Sequence, residues 1–299
     1  MKKNYIKLAI ISSLALALFI PVIIFFSRAP VLIVAEQSLL TLYGQARLNR
    51  DVNKRSLALF RQVKIVQVVN DAGDDIVQYA VSDISAKPFC VIFSRRFAGS
   101  ARIYSEQNPG IKIILLEGRY PENANPAGIT GFHVYYTDIE SDFFRAGYAA
   151  AAFVMGNSPE TGNIAVFIEP EQYSNYGSQA RNAFLRGVEE AGSGASPYFY
   201  TSFQDFPQTL DISCVVLAGA GWTYMDEKTG VPVILFSWLD PLMAPLDVVL
   251  IVDDSPFSQF LNAVSMLASG QEKGSIKSNF LVLTKDKKNS KVLRNINNM

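Results

Sequence analysis

Short, continuous apolar runs alternate with stretches of helical periodicity along most of the chain. VLIVA (31–35), VKIVQVV (63–69), FCVIF (89–93), IKIILL (111–116) and FHVYY (132–136) read as strands, and the segments 48–62 and 97–107 between them carry helical spacing. Valine and isoleucine in unbroken runs suit strands buried on both faces, which is the signature of a parallel sheet covered by helices.

A second series of the same kind starts near residue 138. In ESDFFRAGYAAAAFVMG (140–156), Thr137 and Glu140 have capping-box spacing, Asp138, Glu140 and Asp142 favour a helix N-terminus, and Gly156 closes the helix. Gly147 and the four alanines at 149–152 leave little side chain, so this helix can pack close to its neighbour. GNIAVFI (162–168) follows as a strand. Ala180, Phe184 and Val188 then form one helical stripe that ends at Gly192. Further strands are expected at 197–203, 212–221, 231–238, 247–254 and 279–284. Ser255 as N-cap and Pro256 at the first helical position open one more helix. The pattern therefore predicts an α/β protein of two lobes, each a mainly parallel sheet flanked by helices. The polar tail 286–299 stands apart from both.

The N-terminus changes the picture. Lys2, Lys3 and Lys7 precede an uncharged apolar run at 8–26, close to the ~20 residues that span a bilayer. Residues 1–30 are a signal sequence or a membrane anchor and lie outside the fold. No small-x-small cleavage site ends the run, so we favour an uncleaved anchor. The rest of the chain is then exported, to the periplasmic or extracellular face of the cytoplasmic membrane.

Composition narrows the partners. The chain has 299 residues, with 27 basic and 27 acidic side chains and no basic block outside the tail. Nucleic acid is therefore not expected as a partner. Cys90 and Cys214 sit in apolar strand contexts and read as small buried hydrophobes. His133 is the only histidine, so a histidine-rich metal site or a Ser-His-Asp triad has little to build on. No cofactor, no metal and no enzymatic activity are expected.

In open α/β sheets, ligands bind beyond the carboxyl ends of the strands. Those positions hold Glu36 and Ser38, then Ser94 beside Arg95 and Arg96, then Glu117. In the second series they hold Glu169, Tyr173, Asn175 and Tyr176, Trp222 after a glycine-rich turn, Trp238 with Asp240, and Asp253 with Asp254. Carboxylates, hydroxyls and flat aromatics at converging strand ends suit a small polar molecule that contains a ring. Arg95 and Arg96 fit either an anion clamp or a solvated pair, and Asp253 and Asp254 fit either ligand contacts or helix caps.

NPAGITGFHVYYTDIESDFFRAGYAAAAFVMG, GNIAVF and ARNAFLRGVEEAG together resemble the middle of the basic membrane protein family, the purine-nucleoside-type substrate-binding proteins of ABC transporters. The resemblance covers about residues 108–192. It implies a type I periplasmic-binding-protein fold, with two lobes, three crossovers and closure on the ligand. On that plan 31–137 plus 247–275 form lobe one, and 138–246 plus 276–285 form lobe two. It also implies an ABC permease or membrane sensor as partner and a purine nucleoside as a possible ligand. Trp222 stands where the family has its stacking aromatic, with Tyr176 beside it, and Glu117 stands where the family has Asp. The family's Asp after a late strand falls near Ser237 and Asp240, and its Lys falls near Asp253 or Asp254. The family's Asp/Asn/Phe-rich loop after the first strand is replaced by EQSLLTLYGQARLNRD. The expected function is solute capture; the alternative is a module that keeps the fold but binds no ligand.

Overall fold

The computed structural model describes residues 19–116, 131–157, 162–169, 176–202, 212–219, 231–236, 247–271, 274–283, 296 and 299. The chain divides into two compact units. One runs up to Tyr135 and takes in Phe260–Gly274; the other comprises Tyr136–Gln259 and the chain from Ser275 onward.

The first unit is built from β1 (Val31–Glu36), α1 (Gln37–Tyr43), α2 (Gln45–Leu59), β2 (Val63–Val68), α3 (Asp74–Ile84), β3 (Cys90–Ser94), α4 (Ala98–Gln107), β4 (Lys112–Leu116) and β5 (Phe132–Thr137). In the second, α5 (Ile139–Asn157), β6 (Asn163–Ile168), α6 (Gly177–Glu190), β7 (Ser196–Tyr200), β8 (Ile212–Ala218), β9 (Val233–Phe236) and β10 (Val248–Asp253) follow. The chain then runs through α7 (Pro256–Ala268), β11 (Gly274–Ile276) and β12 (Asn279–Val282).

The sheets have the orders β11-β5-β4-β3-β1-β2 and β12-β10-β9-β8-β6-β7. β1 pairs in parallel with both β2 and β3, and β3 with β4 and β4 with β5 likewise. Its central place explains its unbroken apolar run: Val31, Leu32, Ile33, Val34 and Ala35 are all fully buried. β2 lies at the edge and is only partly buried, with Lys64 and Gln67 exposed. In the second sheet every pairing is parallel except β10 with β12. The pleat sends even-numbered residues such as Ile164, Val166, Val216 and Ile234 into one core, and Ala165, Phe167, Leu217 and Leu235 into another on the opposite face.

Three expectations need correction. β10 pairs with β9 and β12, so residues 247–259 belong with the second unit, and only Phe260–Gly274 returns to the first. β11 was not expected, because three residues, Gly-Ser-Ile, carry no periodicity. The cap of α5 is Asp138 rather than Thr137: its Oδ1 accepts the Ser141 N–H at 3.0 Å. Ser255 does cap α7, accepting the Ser258 N–H at 3.1 Å.

The small residues of α5 do what their size suggests. A Cβ on Gly147 would overlap the Phe184 carbonyl, and one on Gly187 would overlap the Phe144 carbonyl. Two glycines, one on each helix, thus let the α5 and α6 backbones touch. Alanine normally gains about 1 kcal/mol over glycine inside a helix. Forcing two backbones apart costs about 1–3 kcal/mol or more, so the clash wins. Gly147→Ala and Gly187→Ala are each expected to lower unfolding stability by roughly 2 kcal/mol in denaturant titration. Gly177→Ala, where a Cβ meets nothing within 4 Å, is the control and should be neutral or slightly stabilising; equal stability of the Gly147 and Gly177 variants would contradict close helix contact.

Candidate functional site

In the first unit the strand-end residues converge. The Ser94 hydroxyl, at the end of β3, donates to Glu36 Oε1 at 2.8 Å, at the end of the adjacent β1. The other carboxylate oxygen, Glu36 Oε2, is buried and has no hydrogen-bond partner among the described residues. An orphaned buried acceptor costs about 1–3 kcal/mol, and native structures hold few of them. Two residues on, the Ser38 hydroxyl and N–H both point to Asn70 Oδ1, at 3.0 and 3.4 Å.

Asn70 and Asp71 follow β2 and were overlooked by sequence reasoning, which considered the ends of the first, third and fourth strands only. Applying the same strand-end rule to β2 would have found them. They also decide the role of Arg96. Its Nε donates to the Asn70 carbonyl at 2.5 Å and a terminal nitrogen pairs with Asp71 at 2.7 Å. With side chains 50% and 90% exposed, this pair contributes at most ~1 kcal/mol. It spends the cation on the β2 loop.

In the second unit, Glu169 follows β6 and its N–H bonds the Ala218 carbonyl at the end of β8. Gly219, at φ +125°, is packed so closely on the Glu169 side chain that a Cβ would overlap it. Tyr176 sits just before α6, half-buried, with its ring against the unit's core. Asp254 is partly buried after β10. Its neighbour Asp253 serves the helix: Oδ2 accepts the Ser258 hydroxyl at 2.6 Å and Oδ1 the Ser255 N–H at 3.4 Å. Glu117, Tyr173, Trp222, Trp238 and Asp240 lie outside the described residues.

A second polar cluster lies inside the second unit. Arg145, only 2% exposed, pairs with Asp142 at 2.6 Å. Asp142 also accepts the Ser278 N–H at 2.9 Å and the Ser278 hydroxyl at 2.5 Å. The guanidinium donates back to the Ser278 carbonyl at 3.0 Å and lies over the Phe280 ring. Gln259 Nε2 reaches the Ser278 hydroxyl at 3.2 Å. Burial pushes the Asp142 carboxyl up to about 6, against the Arg145 charge and the Ser278 bonds, which pull it down.

Cys90 and Cys214 are both buried free thiols, each in its own unit. Burial raises both, Cys214 to about 12, so neither is a reactive thiolate. His133 is buried in β5. Among the described residues no group of three or more His, Cys, Asp or Glu side chains could hold a metal ion.

No protein-family model matches the chain, and no curated protein matches it. Solved structures do. An ABC transporter periplasmic solute-binding protein from Actinobacillus succinogenes, with bound D-allose, is 16% identical; the match has a TM-score of 0.53 and covers 88% of this chain and 99% of that one. A transcriptional activator of the comK gene from Bacillus halodurans is 11% identical, with a TM-score of 0.56 over 90% and 96%. A periplasmic ribose ABC transporter protein from Conexibacter woesei is 11% identical, with a TM-score of 0.52 over 86% and 93%. At such identities the likeness establishes the fold: an α/β architecture of the type I periplasmic-binding-protein kind.

The raised Asp142 carboxyl has a pH consequence. The native state holds a proton there that the unfolded chain releases, so between about pH 4 and 6 this group's contribution to stability falls as pH rises. Denaturant titrations across that range should show the stability of the natural chain relative to Asp142→Asn declining by roughly 1–3 kcal/mol toward neutral pH. A relative stability that climbs with pH would mean that the ion pair, not burial, governs the carboxyl.

Proposed function

We propose that the chain is an exported solute-binding protein, anchored by residues 8–26, that captures a small, polar, ring-containing molecule for an ABC importer. The observation that carries this reading is Glu36: one oxygen is held by Ser94, and the other is buried and, among the described residues, unpartnered at the carboxyl end of β1. A ligand hydroxyl or amine satisfies that oxygen and recovers the cost of leaving it bare. Ser38 and Asn70 extend the same wall. In the second unit the reading assigns ring stacking to Trp222 and Tyr176, hydrogen bonds to Asp240, and flanking contacts to Tyr173, Trp238 and Asp254; Glu117 accepts a hydroxyl from the first unit. The mechanism is capture that favours a ligand-bound state, which a permease recognises.

The ligand class follows from the donors the wall requires. Two structures of similar fold are described as holding D-allose and as a ribose transporter protein. A monosaccharide or a purine nucleoside supplies the ring hydroxyls that Glu36 and Ser38 accept, and the resemblance to the basic membrane protein family favours the nucleoside. The second reading is a ligand-free or sensory interaction module that retains the fold, and the transcriptional activator of similar fold is a structure of this fold that is not described as a transporter protein.

The test is a thermal-shift and tryptophan-fluorescence titration of the full chain in detergent against sugars, nucleosides, nucleobases and amino acids. A saturable shift is expected with one hydroxylated ring class. Glu36→Ala should then weaken that ligand roughly ten- to a hundredfold. A well-folded chain that answers to nothing in the panel would favour the ligand-free interaction module.

A further inference from the structure

The described chain opens with helical residues 19–27 that are apolar on every side: Phe19 and Phe26 are each 65% exposed, and Ile20, Val22, Ile23 and Ile24 are exposed around them. A helix apolar all round belongs inside protein or lipid. The first unit covers only one of its residues, Phe25, whose ring meets Phe60 edge-on at 5.8 Å.

The chain then passes to β1 without a spacer. The Arg28 guanidinium lies 5.3 Å from the Phe60 ring, and Arg61 donates to the Ala29 carbonyl at 3.1 Å and stacks on Phe89 at 4.0 Å. The Phe89 N–H bonds the Pro30 carbonyl at 2.8 Å, and the Val31 N–H bonds the Gln62 carbonyl at 2.9 Å. Residues 25–31 are thus fastened to the loops that precede β2 and β3. Those loops form the amino-end face of the first sheet, opposite the end that carries Glu36, Ser94 and Asn70.

That face is cationic and partly greasy. Burial, and after it the charge of nearby Arg28, lowers Arg61 from the usual guanidinium range. Neither has a carboxylate within ion-pair distance among the described residues. Lys87, two residues before Phe89, is exposed, and Phe60 and Phe89 stay 37% and 39% exposed; Asp83, at the end of α3, and Glu106, at the end of α4, are exposed acids on this side. Exposed guanidinium and ammonium groups interleaved with aromatic rings match an anionic bilayer surface.

We propose that the amino-end face of the first sheet, through Arg28, Phe60, Arg61, Lys87 and Phe89, is a membrane-seating surface that rests on anionic lipid headgroups and holds the first unit's solute-binding end away from the bilayer. This rests on the reading of residues 8–26 as an uncleaved anchor. The fastened 25–31 segment joins helical residues 19–27 to the unit without a free linker, so the unit keeps a fixed orientation to that helix.

The test uses the full chain in vesicles of phosphatidylglycerol and phosphatidylcholine, with a spin label at Lys87→Cys or, at the opposite end of the unit, at Asp75→Cys. The natural thiols, both fully buried, resist labelling. A lipid-borne nickel chelate is expected to relax the Lys87 label several-fold more than the Asp75 label, and less so in vesicles of phosphatidylcholine alone. Protein that floats with the vesicles but shows equal relaxation at both positions would overturn the seating surface while leaving the anchor intact. Protein that fails to float would overturn both.

Discussion

The Asp142–Arg145 pair is the contact on which the second unit's assembly turns. Burying two charges costs several kcal/mol per ion, and mutual attraction offsets this only when every remaining donor and acceptor is satisfied. Ser278 does the satisfying, with its N–H and hydroxyl on Asp142 and its carbonyl under Arg145. The chain passes between units at 135/136, 259/260 and 274/275. On the second unit's side, each passage leads within four residues to this network or its neighbour. Asp138 bonds the Ser275 hydroxyl and the Ile276 carbonyl, Gln259 bonds Ser278, and Ser278 itself follows the last passage. A hydrophobic substitute could match the stability, but it would not dictate which three chain segments meet.

The remaining architecture follows from how completely each strand is covered. β1, with neighbours on both sides, is apolar throughout and ends in a residue, Glu36, that a strand could not otherwise tolerate beside a buried serine. The cost of Glu36 is offset in part by Ser94, which bonds one of its two carboxylate oxygens. On the second unit the close approach of α5 and α6 through Gly147 and Gly187 keeps a thin, dense layer over the sheet. Phe143 stacks on Phe236 at 4.6 Å beneath it.

The strands were legible in the sequence because parallel strands buried on both faces advertise themselves as Val/Ile runs. β11 was not, since three residues carry no period. The extent of the second unit was misread at 247–259 because apolar character marks β10 as a strand but does not say which sheet it joins. Thr137 and Asp138 are both able to cap a helix, and one residue of register separates them. Of the site, Glu36, Ser38 and Ser94 follow from the strand-end rule, while Asn70 and Asp71, in the polar run NDAGDD after edge strand β2, look like ordinary turn residues. Arg145 gave no sign at all: a cation in an alanine-rich helix looks like a surface residue until its acid and the Ser278 turn are seen around it.

A fold shared by solute receptors and a transcriptional activator does not itself select a function, so capture depends on the strand ends. The most direct measurement is amide hydrogen exchange on the full chain with and without saturating solute. Slowed exchange is expected together at residues 36–38, 69–71 and 94–96 in the first unit and after β6 and β8 in the second. Protection absent from residues 36–38 and 94–96, or falling away from the strand ends, would contradict capture at these positions.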